Sequence, residues 1–430
     1  MSVRWGLVGA IALGMAAPAS AQVFSSRVDV DGNVQNFEFD TAEEILTSFT
    51  EDTLRDQFPT YQDSISAVDG SLDYRGLRMR VTIGANSPDI RLQIRSINID
   101  ETFDEFGTRE QNAEAFEDFL TSDGGSILAR IQAELARVSP VDPVAGNPNS
   151  IQSTMVDTLF SNGAFNTGVP LSSFSVPTDQ STQLRFKGSE TGKMIYTRSA
   201  AANANSFELG VRGGSFSAGE AGGTALSLPL GYTLRADARP GLRFNFSIPI
   251  SYSDTDGAVT IGGIGGFGIA FPLSDVWSIT PAVTYGVVGS IDLGAAAQLA
   301  GASVTSSYTI RTDPVNYTIG NMLGYVTTLP FNYDDISYDP GINNTVLKNG
   351  VSAEVPASFT FFGRTTSYQA AYAYTYLLGT ELFMNDYHDV SVSWGVADGN
   401  RGLLSVVRIG VGATLGRDFT NFGLNFGYTF

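Results

Sequence analysis

The second half of this 430-residue chain shows a strict two-residue alternation of side-chain character. In residues 421–430, large apolar side chains occupy every second position, and small or polar side chains fill the positions between them. Successive side chains of a β-strand point to opposite faces, so this period predicts a strand with one apolar and one polar face. The apolar positions of this last strand are Phe422, Leu424, Phe426, Tyr428 and Phe430.

The same alternation recurs often enough to count strands. It predicts twelve strands in residues 206–430, and 225 residues divided by twelve leaves about 19 for each strand with its turn. The predicted strands start near Ser206, Thr224, Gly241, Ala258, Val276, Ala297, Val315, Asn349, Thr366, Asp389, Leu403 and Thr420. Membrane-spanning strands need about 9–11 residues, so the spacing favours a transmembrane antiparallel β-barrel whose apolar face meets lipid. A soluble β-sandwich, whose strands also alternate, is the alternative.

The first residues predict export. Residues 1–21 combine an early arginine, a short apolar stretch and the small residues Ala19-Ser20-Ala21, which is typical of a signal peptide cleaved after Ala21. The apolar stretch is shorter than the roughly 20 residues that a spanning helix needs.

Composition excludes several kinds of chemistry. The chain has 44 Asp and Glu against 25 Lys and Arg, one histidine and no cysteine. An acidic chain lacks the basic surface that neutralises phosphates, so we expect no nucleic-acid partner. Without cysteine there is no thiolate nucleophile or thiolate metal site, and we predict no cofactor, no metal site, no catalytic residue and no enzymatic activity.

Residues 22–105 predict a small α/β domain. Asp31-Gly32 is a strong hairpin signal between two short strands. A helix is expected to begin after Asp40 or Thr41 and to continue to Phe58.

Residues 106–205 predict a helical segment followed by a linker. The helix expected over 126–139 has one apolar face, and it could either lie inside the barrel as a plug or pack on the α/β domain. A shorter helical run, Ile151 to Phe160, precedes the linker. The predicted fold class is therefore mainly β. A small α/β domain and a helical segment are expected to precede a barrel over residues 206–430.

Six charged residues fall on the polar face of the predicted strands. A charge that faces lipid costs a few kcal/mol, so these side chains are expected to line the lumen, where they either pair around a plug or line a pore. They are Glu208, Arg212, Arg235, Glu354, Asp389 and Arg408.

The single histidine raises the question of a Ser-His hydrolase. His388 is close in sequence to Ser391 and Ser393. Strand parity puts His388 on the lipid face and both serines on the lumen face, so the pattern favours an interfacial histidine.

Two acidic motifs have side chains that suit a divalent cation. They are Asp29-x-Asp31-Gly32-Asn33 and the loop that holds Asp334, Asp335 and Asp339. The first motif lacks the closing Glu of a twelve-residue calcium loop, which favours a hairpin turn. The second motif is predicted to be a solvated loop.

The segment from Phe422 to Phe430 resembles the C-terminal signal of outer-membrane proteins of Gram-negative bacteria. This resemblance implies two partners, the barrel-assembly machinery and outer-membrane lipid. The barrel of about twelve strands, placed after a separate N-terminal region, is similar to an autotransporter. The resemblance implies a barrel in the outer membrane that anchors or displays the small N-terminal domain, on the extracellular or the periplasmic side.

The N-terminal region departs from the autotransporter pattern, and this leaves the function open. Autotransporter passengers are commonly long and repetitive, whereas the N-terminal region here is about 180 residues and shows no repeat. The alternative function is a porin-like channel that passes small solutes, with the lumen charges setting its selectivity. The sequence identifies no surface or periplasmic partner.

Deletion of Phe430 tests the predicted assembly signal. We expect the deletion to lower the yield of assembled barrel, measured as the heat-modifiable band in an electrophoresis gel. Phe106→Ala in the N-terminal region serves as the control, and it should leave that yield unchanged. A normal yield without Phe430 would contradict the interpretation of the last strand.

Overall fold

A computed structural model describes residues 23–121, 125–165, 183–185, 195–197, 205–236, 241–333, 336–397 and 406–429. These residues form a small sheet domain, several helices and a closed barrel of twelve antiparallel strands, which confirms the predicted fold class. Closure of the sheet excludes the β-sandwich alternative. The predicted signal peptide with its cleavage site Ala21 lies outside the described residues, as does Phe430.

The N-terminal domain is built on a six-stranded antiparallel sheet. Its strands are β1 (Phe24–Val30), β2 (Asn33–Phe39), β3 (Val68–Tyr74), β4 (Leu77–Ile83), β5 (Ile90–Ile94) and β6 (Ile99–Phe103), in the spatial order β2-β1-β3-β4-β5-β6. Alternate residues of β1, β3 and β4 are buried, so one face of the sheet forms the core and the other is polar. Asp31 and Gly32 have positive φ angles of 50° and 88° and form the turn between β1 and β2.

Four helices accompany this sheet. They are α1 (Ala42–Thr47), α2 (Glu51–Gln57), α3 (Arg109–Thr121) and α4 (Gly125–Val138). The single helix expected from Thr41 to Phe58 is two helices, because Thr50 starts a second one by accepting a hydrogen bond from the Thr53 backbone N–H. Helix α4 contacts β4 and the short turn 95–97 of the domain and also residues Ile336–Tyr338 of a barrel connection, so it lies between the domain and the barrel rim and does not enter the lumen.

A short helix and one isolated strand pair precede the barrel, and a second isolated pair lies in a connection between two barrel strands. These elements are α5 (Ile151–Gly163), β7 (Gln183–Arg185) paired with β8 (Ile195–Thr197), and β16 (Phe331–Tyr333) paired with β17 (Ile336–Tyr338). The barrel strands are β9 (Ser206–Ala218), β10 (Ala221–Arg235), β11 (Arg243–Thr255), β12 (Ala258–Pro272), β13 (Trp277–Ser290), β14 (Ala295–Arg311), β15 (Asn316–Leu329), β18 (Asn343–Phe361), β19 (Arg364–Gly379), β20 (Asp386–Ala397), β21 (Val406–Gly416) and β22 (Phe419–Thr429). Strand β22 pairs with β9, from Phe419 opposite Ala218 to Thr429 opposite Glu208, and this pairing closes the barrel.

The barrel has an apolar exterior and a polar interior. On β22, the side chains of Phe422, Leu424 and Phe426 are 54%, 48% and 45% exposed on the outside, whereas Asn421 is fully buried on the inside. Tyr428 lies on the outer face with them and is half-buried. This inversion of the soluble pattern is the arrangement that a lipid environment requires.

Among the helices of the described ranges, none is long and apolar enough to cross a bilayer.

The N-terminal domain sits on one rim of the barrel. This cap-side rim carries the turns 219–220, 256–257, 291–294, 380–385 and 417–418 and the described parts of the connection 330–342, because every second turn of an antiparallel barrel lies at the same end. Backbone hydrogen bonds join the rim to the domain, from Ala42 N–H to Asp292 O at 2.8 Å and from Phe383 N–H to Ala136 O at 2.8 Å. Another, from Met384 N–H to Gly146 O at 3.1 Å, joins the rim to the segment after the domain. The opposite rim is where β9 begins and β22 ends.

Candidate functional site: the occluded lumen

Helix α5 lies inside the barrel. All its residues except Ser161 are buried, and it contacts the inner faces of the five strands from β11 to β15. At about 1.5 Å per residue its thirteen residues span about 20 Å, most of the ~25 Å apolar band of a membrane barrel. Of the two predicted helical segments, the shorter one therefore fills the lumen.

Glycines on the inner wall make room for α5. A Cβ atom at Gly286 would lie 2.9 Å from Met155 Sδ, and a Cβ atom at Gly320 would lie 2.8 Å from Phe160 Cζ. Both distances are too short for a side chain, so α5 packs directly on the strand backbone at these positions. Other glycines whose added Cβ atom would lie 3.3 Å or less from α5 are Gly262, Gly266 and Gly301.

A buried charge cluster joins α5 to the opposite wall. The Lys348 ammonium group on β18 donates hydrogen bonds to Asp157 of α5 at 2.5 Å and to Asp389 of β20 at 2.9 Å. The Thr414 hydroxyl donates to the other oxygen of Asp389 at 2.8 Å. Lys348 and Asp389 are each 1% exposed, so both charges are held away from water.

Arg212 completes the charge balance of this cluster. It is 2% exposed on β9 and interacts electrostatically with Asp157 and Asp389. Two cations thus face two anions. A balanced, hydrogen-bonded cluster is the condition under which buried charges are tolerated.

The other predicted lumen charges form two further groups. Arg408 forms an ion pair with Glu354, whose carboxylate also accepts a hydrogen bond from the Ser367 hydroxyl at 2.7 Å. Glu208 is half-buried and interacts electrostatically with Arg235 and with Arg243. The structure thus places all six predicted residues on the inner face and brings them together in three separate groups.

Lys348, Asp157 and Arg243 belong to these groups and were missed by the sequence analysis. Lys348 was missed because that strand was expected to start near Asn349, whereas it begins at Asn343, so Lys348 fell outside the predicted strand. Strand parity carries the missing signal, since Lys348 shares the inner face with Glu354.

Hydrogen bonds between amide side chains and the wall hold both ends of α5. The Gln152 side chain donates to Asn344 Oδ1 at 2.9 Å near the cap-side rim. Near the opposite rim, Asn245 Nδ2 donates to the backbone oxygen of Asn162 at 2.7 Å. The helix is therefore fixed along its whole length.

A further buried ion pair lies where the domain meets the mouth of the barrel. Arg75 Nη1 lies 3.2 Å from Asp142 Oδ1, and neither side chain has exposed surface. Gln132 Nε2 donates to the same oxygen at 2.9 Å, and the Ala145 N–H donates to the other oxygen at 3.0 Å. Burial raises the pKa of the Asp142 carboxyl above its ordinary value, and the charge of Arg75 opposes that shift. This pair ties the β3–β4 turn to the segment that leads into α5.

The residues considered for hydrolysis lie on opposite faces of β20. His388 is on the outer face, where its Nδ1 lies 2.9 Å from the Tyr372 hydroxyl. Ser393 is on the inner face and accepts a hydrogen bond from Arg408 at 3.3 Å. The barrel wall therefore separates the imidazole from the serines.

In the two acidic motifs, the described carboxylates accept hydrogen bonds from backbone N–H groups of turns. Asp29 Oδ1 accepts a hydrogen bond from the Gly32 N–H at 2.8 Å, and Asp31 Oδ1 accepts one from the Ala67 N–H at 2.9 Å. Asp339 Oδ1 accepts one from the Gly341 N–H at 2.9 Å. Asp334 and Asp335 lie outside the described residues.

No protein-family model and no curated protein sequence matches this chain. Among solved structures, the β domain of the Bordetella autotransporter BrkA aligns with 53% of this chain and 99% of its own, with 12% identity and a TM-score of 0.39. The translocator domain of the autotransporter NalP from Neisseria meningitidis aligns with 53% of this chain and 87% of its own, with 12% identity and a TM-score of 0.40. The KdgM porin aligns with 52% of this chain and 99% of its own, with 14% identity and a TM-score of 0.32.

These likenesses do not separate an autotransporter from a porin. A closed antiparallel barrel with an apolar exterior and a polar interior is the architecture of an outer-membrane β-barrel protein.

Replacement of Lys348 tests the lumen cluster. We expect Lys348→Met to destabilise the folded protein by about 3–5 kcal/mol, because the buried carboxylates of Asp157 and Asp389 would lose the cation that donates hydrogen bonds to both. The measurement is the temperature at which the compact barrel band converts to the unfolded band in an electrophoresis gel.

Two further variants control that measurement. Arg417→Met, at an exposed turn, should change stability by less than about 0.5 kcal/mol. Adding Asp389→Leu to Lys348→Met should recover part of the loss, since one anion is then removed together with one cation and Asp157 keeps the charge of Arg212. An unchanged midpoint in Lys348→Met would contradict the role of the cluster.

Proposed function

We propose that this protein anchors its N-terminal domain at the outer surface of the outer membrane, through an autotransporter-type barrel that α5 keeps closed. The observation that carries the proposal is the buried contact of Asp157 on α5 with Lys348 on the barrel wall. The work of such a molecule is display rather than chemistry. Its expected partners are outer-membrane lipid and the barrel-assembly machinery.

The path of the chain supports display. The domain sits on the cap-side rim, and Ile151 at the start of α5 contacts Gly262 and Gly286 near that rim. Asn162 at its end bonds Asn245 near the opposite rim. Along α5 the described chain thus crosses the lumen from the cap-side rim to the opposite rim, where β9 begins.

The orientation follows from the way in which hairpins enter a membrane. An exported chain reaches the outer membrane from the periplasm, and a hairpin inserted from that side sends its turn across first. The β9–β10, β11–β12 and β21–β22 hairpins all turn at the cap-side rim. We therefore assign the cap-side rim, with the N-terminal domain, to the cell surface and the opposite rim to the periplasm.

The burial of the lumen charges favours a closed barrel over a channel. In a water-filled pore the polar interior is solvated. Here Arg212, Lys348 and Asp389 are nearly inaccessible to water, and α5 and its side chains occupy the space between them. The same burial and the position of His388 favour a protein without hydrolase activity.

Inserted protease sites test the orientation. A recognition sequence for a site-specific protease would be placed after Gly107, in the exposed turn 104–108 of the domain. The matched control carries the same sequence after Gly363, in the exposed turn at the opposite rim. In intact cells we expect cleavage at the first site only, and at both sites once the outer membrane is opened. Cleavage at the second site alone in intact cells would overturn the assignment.

Conductance in planar bilayers tests the closure. We expect the full chain to give no stable channel and Asp157→Lys to give discrete current steps, because a second lysine beside Lys348 and Arg212 would expel α5. Gly320→Leu, which places a side chain where Phe160 lies, should open the lumen by steric conflict. Glu220→Lys, the same charge change at an exposed turn, is the control and should stay silent. A stable open channel in the unaltered protein would favour the porin-like function instead.

A further inference from the structure

A polar aromatic patch lies on the outer face of β19 and β20, beside the cap-side rim. We call it the tyrosine patch, and it consists of Tyr372, Tyr374, Tyr376, Asp386 and His388. The rings of Tyr374 and Tyr376 are parallel within 11°, with centroids 6.5 Å apart. The His388 ring lies 4.9 Å from that of Tyr374, so three flat rings form one surface.

Cross-strand hydrogen bonds fix the polar ends of these rings. The Tyr372 hydroxyl lies 2.9 Å from His388 Nδ1, and the Tyr374 hydroxyl donates to Asp386 Oδ2 at 3.3 Å. Both contacts are exposed on the outside of the barrel. A hydrogen-bonded imidazole and carboxylate on a surface that faces lipid are costly unless something polar meets them.

A guanidinium group stands at the edge of the tyrosine patch. Tyr387 is paired with Gly416, which puts Arg417 in the register position next to Asp386. The Arg417 side chain is 84% exposed, and its Nε lies 3.7 Å from Asp418, too far for a hydrogen bond. The charged groups that face this point are therefore Arg417, Asp386 and Asp418, with His388 one strand position further in.

The polar side chains of the tyrosine patch lie at only one end of this part of the barrel wall, because the outer face at the opposite rim is apolar. There Trp394 of β20 packs against Phe359 at 6.4 Å and against Phe361 at 5.4 Å. That cluster is apolar, as expected for rings at a lipid interface. The two ends of this wall thus offer different chemistry to the two leaflets.

We propose that the tyrosine patch and Arg417 bind the phosphorylated sugar headgroup of a lipid. Arg417 and His388 would donate to the phosphate, since charge-assisted hydrogen bonds from these groups are the strong ones. The Asp386 carboxylate would accept from sugar hydroxyls, and the Tyr374 and Tyr376 rings would lie under the sugar. The acyl chains would continue down the apolar wall formed by Val390 and Val392. That this lipid belongs to the outer leaflet rests on the proposed function.

Lipid binding by the purified full chain tests the proposal. The probe is a bis-phosphorylated, acylated glucosamine disaccharide, added to the protein in detergent and followed by native mass spectrometry. The comparison lipids are the same molecule without its phosphates, and phosphatidylglycerol. We expect the phosphorylated glycolipid to bind about tenfold more tightly than either, because only it satisfies both the cation and the ring surface. Equal binding of phosphatidylglycerol would overturn the proposal.

Variants locate the site. We expect Arg417→Gln and His388→Gln each to weaken binding of the phosphorylated glycolipid about three- to tenfold. Tyr374→Leu, which keeps an apolar side chain but removes the ring, should also weaken binding of the dephosphorylated glycolipid. Trp394→Phe at the opposite rim is the matched control and should bind like the unaltered protein. Unchanged affinity in all three patch variants would overturn the assignment.

This test is independent of the membrane orientation, because the protein is in detergent. If the unaltered protein shows no preference for the phosphorylated glycolipid but is cleaved at the Gly107 site in intact cells, only the proposed lipid site is overturned. Selective binding together with a domain protected in intact cells would overturn the display proposal alone.

Discussion

The ion cluster around Lys348 holds a separate helix inside the barrel, and the rest of the lumen is arranged around it. Lys348 donates hydrogen bonds both to Asp157 on α5 and to Asp389 on the wall. An unpaired ammonium group at this depth would be costly, and so would either carboxylate. The buried charge on the helix and those on the wall therefore stabilise one another, because either set would be costly to bury without the other.

Shape reinforces this electrostatic requirement. The wall that faces α5 from β12 to β15 carries glycines where the helix passes, and the opposite wall carries the long charged side chains that reach across. One side of the lumen contributes close backbone contact and the other side contributes charge. This division explains how a barrel of twelve strands can enclose a helix off its axis and still leave its buried charges paired.

The sequence was a good guide to the barrel, because lipid imposes a simple rule on every strand. The alternation holds over most of the barrel wall, and residues such as Phe426 and Arg408 could be assigned to faces by parity. The lumen helix was harder to recognise. An amphipathic stripe is expected for a helix on a domain surface, and α4 has such a stripe and packs on the domain. Helix α5 is buried on all sides in a polar interior, and its residues Gln152, Thr154 and Asp157 gave no stripe to detect. Which charges pair also depended on three-dimensional proximity that strand parity does not contain.

The position of α5 in the chain restricts the order of assembly. The helix lies between the domain and the first barrel strand, so either β9 pairs with β22 around a helix that is already inside, or the chain enters the closed ring before the domain folds. A six-stranded sheet with neighbours about 4.8 Å apart is roughly 25 Å wide, whereas the lumen accommodates one helix of about 10 Å. The folded domain therefore cannot pass through the closed barrel. The side of the membrane on which the domain lies is therefore set before the ring closes or before the domain folds. Afterwards the topology of the chain, rather than a binding affinity, keeps the domain on that side.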